Sequence, residues 1–159
     1  MRLALITVLV GIVLGLPATA RETWSLSMGR AVQVGQEGIA GDTFLGARFT
    51  GGPVLPLGLA FDVAAGASEA GTAFLSGGLA RSFDLGAVRL DLRTGPALYR
   101  SGLPGAEDDE LVQFYSAAGL SVAAGRFRVG VEAAHISNAG LNRASSDTDI
   151  VSLTIARGF

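Results

Sequence analysis

Apolar and polar residues alternate with a period of two along most of the chain. The clearest segment is Val88–Arg93, in which Val, Leu and Leu alternate with Arg, Asp and Arg. The segment Arg126–Ala133 repeats this pattern. Because successive side chains of a strand point to opposite faces, both segments predict strands with one apolar face. A further apolar stripe is predicted at Leu55, Leu57, Leu59, Phe61 and Val63.

Turn-forming residues divide the chain into eight predicted strands. The turns are predicted near 34–41, 50–54, 66–71, 83–86, 100–109, 123–126 and 138–147. The strands between them are predicted at 23–33, 42–50, 55–65, 72–82, 86–99, 110–122, 127–137 and 148–159. The breaks after the odd-numbered strands are longer and carry acidic residues, Glu37, Glu69, the run 107–110 and Asp147. Short turns at one end and longer loops at the other are typical of outer-membrane barrels.

The polarity of the two faces distinguishes a membrane barrel from a soluble sandwich or a lipocalin-like barrel. A soluble barrel packs its large apolar side chains inward and exposes its charges. In this chain the face opposite the apolar stripes carries small and charged residues, which suit a narrow polar interior: Gly46, Arg48, Gly58, Ala60, Asp62, Gly78, Arg89, Asp91, Arg93, Gly130 and Glu132. The sequence therefore favours an all-β fold, an eight-stranded antiparallel transmembrane β-barrel of the outer membrane.

The first twenty residues have the pattern of a signal peptide. Arg2 is followed by an apolar stretch over residues 3–16 and by the small-x-small site Ala18–Ala20. We expect cleavage after Ala20, which makes residues 1–20 the signal peptide and 21–159 a single exported barrel domain. An uncleaved anchor is disfavoured because the apolar stretch is shorter than the roughly 18 residues of a membrane helix. The expected location is the outer membrane of a Gram-negative cell.

Composition removes several classes of function. The 159 residues leave room for one domain, and the absence of cysteine excludes a disulfide framework and thiolate metal sites. Charged residues make up 16% and the net charge is −2, so the chain lacks the excess of basic residues that nucleic-acid binding requires. Neither a metal nor another cofactor is expected.

The candidate chemistry lies near the end of the seventh predicted strand. His135 is the one histidine of the chain, and Ser137 follows it at i+2, so both side chains share a face of the strand. They continue the apolar stripe of that strand and therefore face lipid, where polar groups are costly and usually functional. An interfacial histidine without catalytic function is the alternative.

A serine and histidine pair needs a third group to orient the imidazole. Asp149 is the first candidate, because it lies at the start of the neighbouring antiparallel strand and its position in the alternation makes it face outward. Asp147 has the same parity and is the second candidate. Glu132 has the opposite parity and is predicted to point into the barrel. The proposed roles are Ser137 as nucleophile, His135 as general base and then acid, and Asp149 as the orienting carboxylate.

An oxyanion would be bound by groups that follow the seventh strand. The candidates are Asn138 and the backbone N–H groups around Gly140.

The segment Gly130–Leu141, followed by an acidic residue and a C-terminal aromatic strand, resembles the outer-membrane lipid A 3-O-deacylases of the PagL type. The resemblance implies an eight-stranded barrel that hydrolyses the ester at the 3-position of lipid A through a lipid-facing Ser-His-Glu triad. It assigns the serine and histidine to Ser137 and His135 and places Asp149 at the glutamate position. The chain departs from the family there, because aspartate is one methylene shorter and Ser145–Thr148 replaces the usual Asn/Gly turn.

Two other functions fit the same sequence. One is a non-catalytic barrel of the structural or adhesion kind, in which the acidic run 107–110 contacts a partner. The other is an esterase or phospholipase that applies the same triad to a different membrane lipid. Lipid A, lipopolysaccharide and outer-membrane lipids are the expected partners. The sequence is also compatible with a homodimer.

Overall fold

The computed structural model describes residues 22–35, 38–102, 111–138 and 147–158. Its strands are β1 Thr23–Gly35, β2 Gly38–Leu55, β3 Leu59–Ser68, β4 Ala73–Leu85, β5 Val88–Arg100, β6 Val112–Ala124, β7 Phe127–Ser137 and β8 Asp147–Gly158. A 3-10 turn at Pro56–Gly58 joins β2 to β3. No helix in these described ranges is long and apolar enough to span a membrane.

The eight strands form one closed antiparallel barrel in sequence order. Each strand pairs with its neighbours in the chain, and β1 pairs with β8, from Thr23 opposite Gly158 to Val34 opposite Asp147. Closure gives each described strand a neighbour on both sides, so the strands bond to one another along the barrel wall and do not depend on water. The predicted fold class is confirmed, and the bounds of β7 match the prediction.

The two ends of the barrel differ in their connections. We call the end with residues 56–58, 86–87 and 125–126 the turn end, and the opposite end the loop end. Gly86 and Gly125 have positive φ angles of 72° and 63° at the first positions of two-residue turns, a conformation that glycine adopts without steric cost. The connections over 101–111 and 138–146 at the loop end are longer.

Two predicted breaks are corrected by the structure. The break predicted at 34–41 is too long, because β1 and β2 stay paired as far as Gly35 opposite Gly38, which leaves only residues 36–37 between the two strands. The break at 50–54 is wrong: β2 continues to Leu55 through register shifts around Pro53, and the chain turns at 56–58 instead. Leu57, with a φ angle of 63°, therefore lies in the turn and not in the apolar stripe.

Large apolar side chains cover the outside of the barrel. The exposure of residues alternates along the strands, as in β8, where residues 147, 149, 151, 153 and 155 are exposed and 148, 150 and 152 are buried. The exposed apolar residues include Trp24, Leu26, Met28, Leu45, Phe61, Val63, Leu75, Leu98, Phe114, Leu120, Val131, Val151, Leu153 and Ile155. This is the polarity of a transmembrane barrel and the reverse of a soluble one.

Charged side chains from opposite walls meet inside the barrel. Arg48 of β2 donates to both Glu132 of β7 and Tyr115 of β6. Arg93 donates to the same carboxylate at 2.8 Å, and Tyr115 does so at 3.1 Å. Asp62 lies 3.4 Å from Arg48 and 3.6 Å from Arg93. We call Arg48, Asp62, Arg93, Tyr115 and Glu132 the interior cluster. It confirms that Glu132 points into the barrel.

An aromatic layer packs on the loop-end side of the interior cluster. The rings of Phe44 and Phe74 lie 6.0 Å apart between centroids, and Phe74 lies 5.3 Å from the ring of Tyr115. Farther along, Tyr99 and Thr148 share a hydrogen bond of 2.7 Å. On the turn-end side of the cluster the interior keeps a polar cavity of about 40 Å³.

Candidate active site

The candidate site is built on three consecutive strands near the loop end. In the barrel register, His135 of β7 lies opposite Asp149 of β8 on one side and opposite Ser116 of β6 on the other. Directly opposed residues of antiparallel strands project to the same face, with Cβ atoms about 4.5–5.5 Å apart. All three belong to the outward-facing set, so the barrel places an imidazole between a carboxylate and a hydroxyl on its outer surface.

A hydrogen bond joins the imidazole to the carboxylate. His135 Nδ1 lies 2.8 Å from Asp149 Oδ1, and the two side chains are 45% and 61% exposed. With Asp149 ionised, Nδ1 carries the proton and donates it, which leaves Nε2 with a free lone pair. A carboxylate in this position holds the ring orientation and stabilises the imidazolium form. The pair can therefore accept a proton at Nε2 and return it.

Ser137 lies two residues beyond His135 on the same strand. It ends β7 and is partly exposed, with Phe114 opposite it on β6. His135, Ser137 and Asp149 all lie in the described part of the chain. Among their side chains the structure has one hydrogen bond, between His135 and Asp149. Hydrogen bonds between nucleophile and base are often long in enzymes without substrate and tighten when substrate binds.

The second acidic candidate lies farther from the imidazole. Asp147 begins β8, is exposed, and is opposite Val34 of β1. It stands one outward-facing position beyond Asp149. Register therefore places Asp149, and not Asp147, beside His135.

One oxyanion candidate, Asn138, is placed differently from the expectation. Asn138 follows β7 directly, but it is only 2% exposed and so does not present its amide on the outer surface beside His135 and Ser137. The alternation of the preceding strand, in which Ile136 is fully buried, accounts for this placement. Gly140 lies outside the described residues.

Small apolar residues surround the site on the side toward the middle of the barrel. Ala133 precedes His135 by two positions and lies opposite Ala118 of β6, and both are exposed. Ala118 is paired with Leu92 of β5, and Ala133 is paired with Val151 of β8; both partners have larger side chains than alanine. The surface is therefore shallow and apolar directly beside the imidazole, a shape that accommodates a hydrocarbon chain.

Sequence reasoning missed Ser116, which the register brings opposite His135. The sequence contained a signal for it, because the short turn at 125–126 fixes the pairing of β6 with β7 once its two central residues are known.

Comparison with known proteins supports the fold. No protein-family model and no curated protein matches the chain. The solved structures similar to it include the outer-membrane enzyme PagL, which covers 85% of this chain and 99% of its own at 19% identity, with a TM-score of 0.54. The match to Neisserial surface protein A covers 87% of this chain and 97% of that protein at 14% identity, with a TM-score of 0.59. The match to the N-terminal barrel domain of Pseudomonas aeruginosa OprF covers 89% of this chain and 100% of that domain at 10% identity, with a TM-score of 0.60. The chain thus has the fold of eight-stranded outer-membrane β-barrels.

Proposed function

We propose that this protein is an outer-membrane carboxylic ester hydrolase that removes the ester-linked acyl chain at the 3-position of lipid A. The observation that carries the proposal is the 2.8 Å bond between His135 and Asp149 on the apolar outer face of the barrel. An oriented imidazole is the proton acceptor that serine ester hydrolysis needs. A site on this face contacts the ester of a lipid that remains in the membrane leaflet.

Two further observations support a lipid ester as substrate. Ser137, the proposed nucleophile, shares the face and the strand of the imidazole. The shallow surface over Ala118 and Ala133 accommodates the acyl chain next to the imidazole. The likeness of the Gly130–Leu141 segment to the lipid A 3-O-deacylases selects lipid A among membrane esters. The similarity to the PagL structure is consistent with this choice.

The proposed reaction has two stages. Ser137 Oγ attacks the ester carbonyl carbon while Nε2 of His135 accepts the hydroxyl proton. The tetrahedral intermediate collapses, the bond to the 3-oxygen of the sugar breaks, and His135 protonates that oxygen. Water then attacks the acyl-enzyme with His135 as base, which releases the fatty acid and regenerates Ser137. Asp149 holds the imidazole throughout.

Mass spectrometry of lipid A tests this function. Expression in a Gram-negative host whose lipid A retains its 3-O-acyl chain is expected to yield lipid A lacking one 3-hydroxyacyl chain. Ser137→Ala and His135→Ala are expected to abolish the mass loss. Asp149→Asn is expected to reduce the rate by up to about 10⁴-fold, because the amide favours the wrong tautomer. Asp147→Asn is the matched control and is expected to retain activity.

The other functions give different results. A non-catalytic barrel leaves the lipid A spectrum unchanged when the protein is present and folded. A phospholipase leaves lipid A intact but produces lysophospholipid in the same extracts. Either result would overturn the proposal.

A further inference from the structure

Ser116 has a position that the triad does not use. It lies on β6, faces outward and is exposed, and its neighbours in register are His135 on one side and Thr94 of β5 on the other. It therefore stands across the imidazole from Asp149. An exposed serine between apolar positions of a lipid-facing strand is costly in hydrocarbon unless its hydroxyl has a partner.

The orientation of the imidazole directs its free nitrogen away from β8. Nδ1 is engaged by Asp149 on the β8 side, and Nε2 lies on the opposite edge of the ring. The edge that exchanges protons with the substrate therefore lies on the β6 side, where Ser116 is. A reacting ester held at Nε2 is consequently close to the Ser116 hydroxyl.

Asn138 is the oxyanion candidate that lies within the described residues, and it offers no donor on the outer surface. The Asn138 amide is buried, as described above. Ser116 is the diagonal cross-strand neighbour of Ser137, a relation in which the residues lie about 7–8 Å apart. The oxyanion of a tetrahedral carbon bonded to Ser137 Oγ would lie in this gap, and a hydrogen bond from the Ser116 hydroxyl would require a separation of roughly 2.7–3.1 Å.

We propose that Ser116 is a further catalytic residue, whose Oγ donates a hydrogen bond to the oxyanion of the tetrahedral intermediate formed on Ser137. The hydroxyl forms no covalent bond and loses no proton in this role. The inference rests on the ester hydrolase function proposed above. It adds a donor from β6, so the complete site spans β6, β7 and β8.

Steady-state kinetics on the purified barrel in detergent, with lipopolysaccharide as substrate, tests the proposal. Ser116→Ala is expected to lower kcat by about 100-fold or more with little change in KM, because the hydrogen bond strengthens only in the transition state. Ser116→Thr retains a hydroxyl and is expected to keep more activity than Ser116→Ala. Thr94→Ala is the matched control, since it removes an outward hydroxyl one strand farther from His135, and wild-type kinetics are expected.

Labelling with a fluorophosphonate distinguishes the two serines. Peptide mass spectrometry is expected to find the label on Ser137 in the wild-type protein and, at a lower rate, in Ser116→Ala. A label on Ser116 would overturn the proposed role and identify Ser116 as the nucleophile. Unchanged kinetics in Ser116→Ala with an active wild-type enzyme would overturn this inference alone. A folded wild-type barrel without activity would overturn both the inference and the proposed function.

Discussion

Glu132 is the residue of the interior cluster whose replacement is expected to destabilise the barrel most. Its carboxylate accepts hydrogen bonds from Arg48, Arg93 and Tyr115, and its side chain is only 8% exposed. Glu132→Gln keeps the shape but removes the charge, which leaves Arg48 with Asp62 and leaves Arg93 with Asp62 and Asp91. Removing one partner of a buried ion pair costs about 3–5 kcal/mol, because the remaining charge stays desolvated. We expect a loss of free energy of unfolding in that range.

Urea unfolding from lipid vesicles measures this loss. Trp24, the one tryptophan of the chain, faces outward, so its fluorescence reports the transfer from lipid to water. Asp84→Asn is the matched control. Asp84 forms a 2.8 Å ion pair with Arg89 near the turn end, but its side chain is 43% exposed, and exposed pairs contribute about 0.2–1 kcal/mol. If Glu132→Gln lowered the free energy of unfolding no more than Asp84→Asn, the interior cluster would not be a main source of stability.

Two further substitutions test the outer surface and the strand packing. Leu153→Arg places a charge in the apolar belt and is expected to cost about 2–4 kcal/mol in the same unfolding assay, whereas a soluble barrel would tolerate it. Gly78→Ala is expected to lower the yield of folded, heat-modifiable protein on gel electrophoresis, because a Cβ at this position would overlap the backbone of Thr94 and Gly95 on β5. Gly77→Ala is its control, since a Cβ there meets no atom within 4 Å, and a similar loss in both variants would contradict the packing argument.

The strand count and the polarity of the faces could be predicted because each depends on local alternation. Val88–Arg93 shows the principle, since Leu90 and Leu92 pair with the exposed Leu120 and Ala118 of β6, whereas Arg93 reaches the interior cluster. The turn near residue 56 could not be predicted in this way. Leu55, Leu57 and Leu59 continue the alternation of β3, but Pro56 begins a 3-10 turn that interrupts it. Periodicity alone does not distinguish a strand from a short turn with apolar residues at alternate positions.

The placement of Asp149 and His135 on the same face required only that β7 and β8 be neighbours and that parity be counted correctly, whereas the choice of Asp149 over Asp147 depends on the register of the two strands. The position of Ser116 required the exact register of β6 and β7, which changes by two residues if the turn shifts by one. The sequence placed that turn within 123–126, whereas the structure pairs Ala124 with Phe127. Loop residues over 138–146 separate β7 from β8, so no count along the sequence fixes their register.

The filled interior has a consequence for the permeability of the membrane around this protein. Guanidinium and carboxylate groups from β2, β3, β5 and β7 cross the lumen, and a stack of aromatic rings lies next to them. A hydrated ion entering from either end would have to separate these pairs before it could advance. Many copies can therefore lie in one membrane without opening an ion path through their interiors, and a molecule that reaches the candidate site does so along the outer wall, from the surrounding lipid.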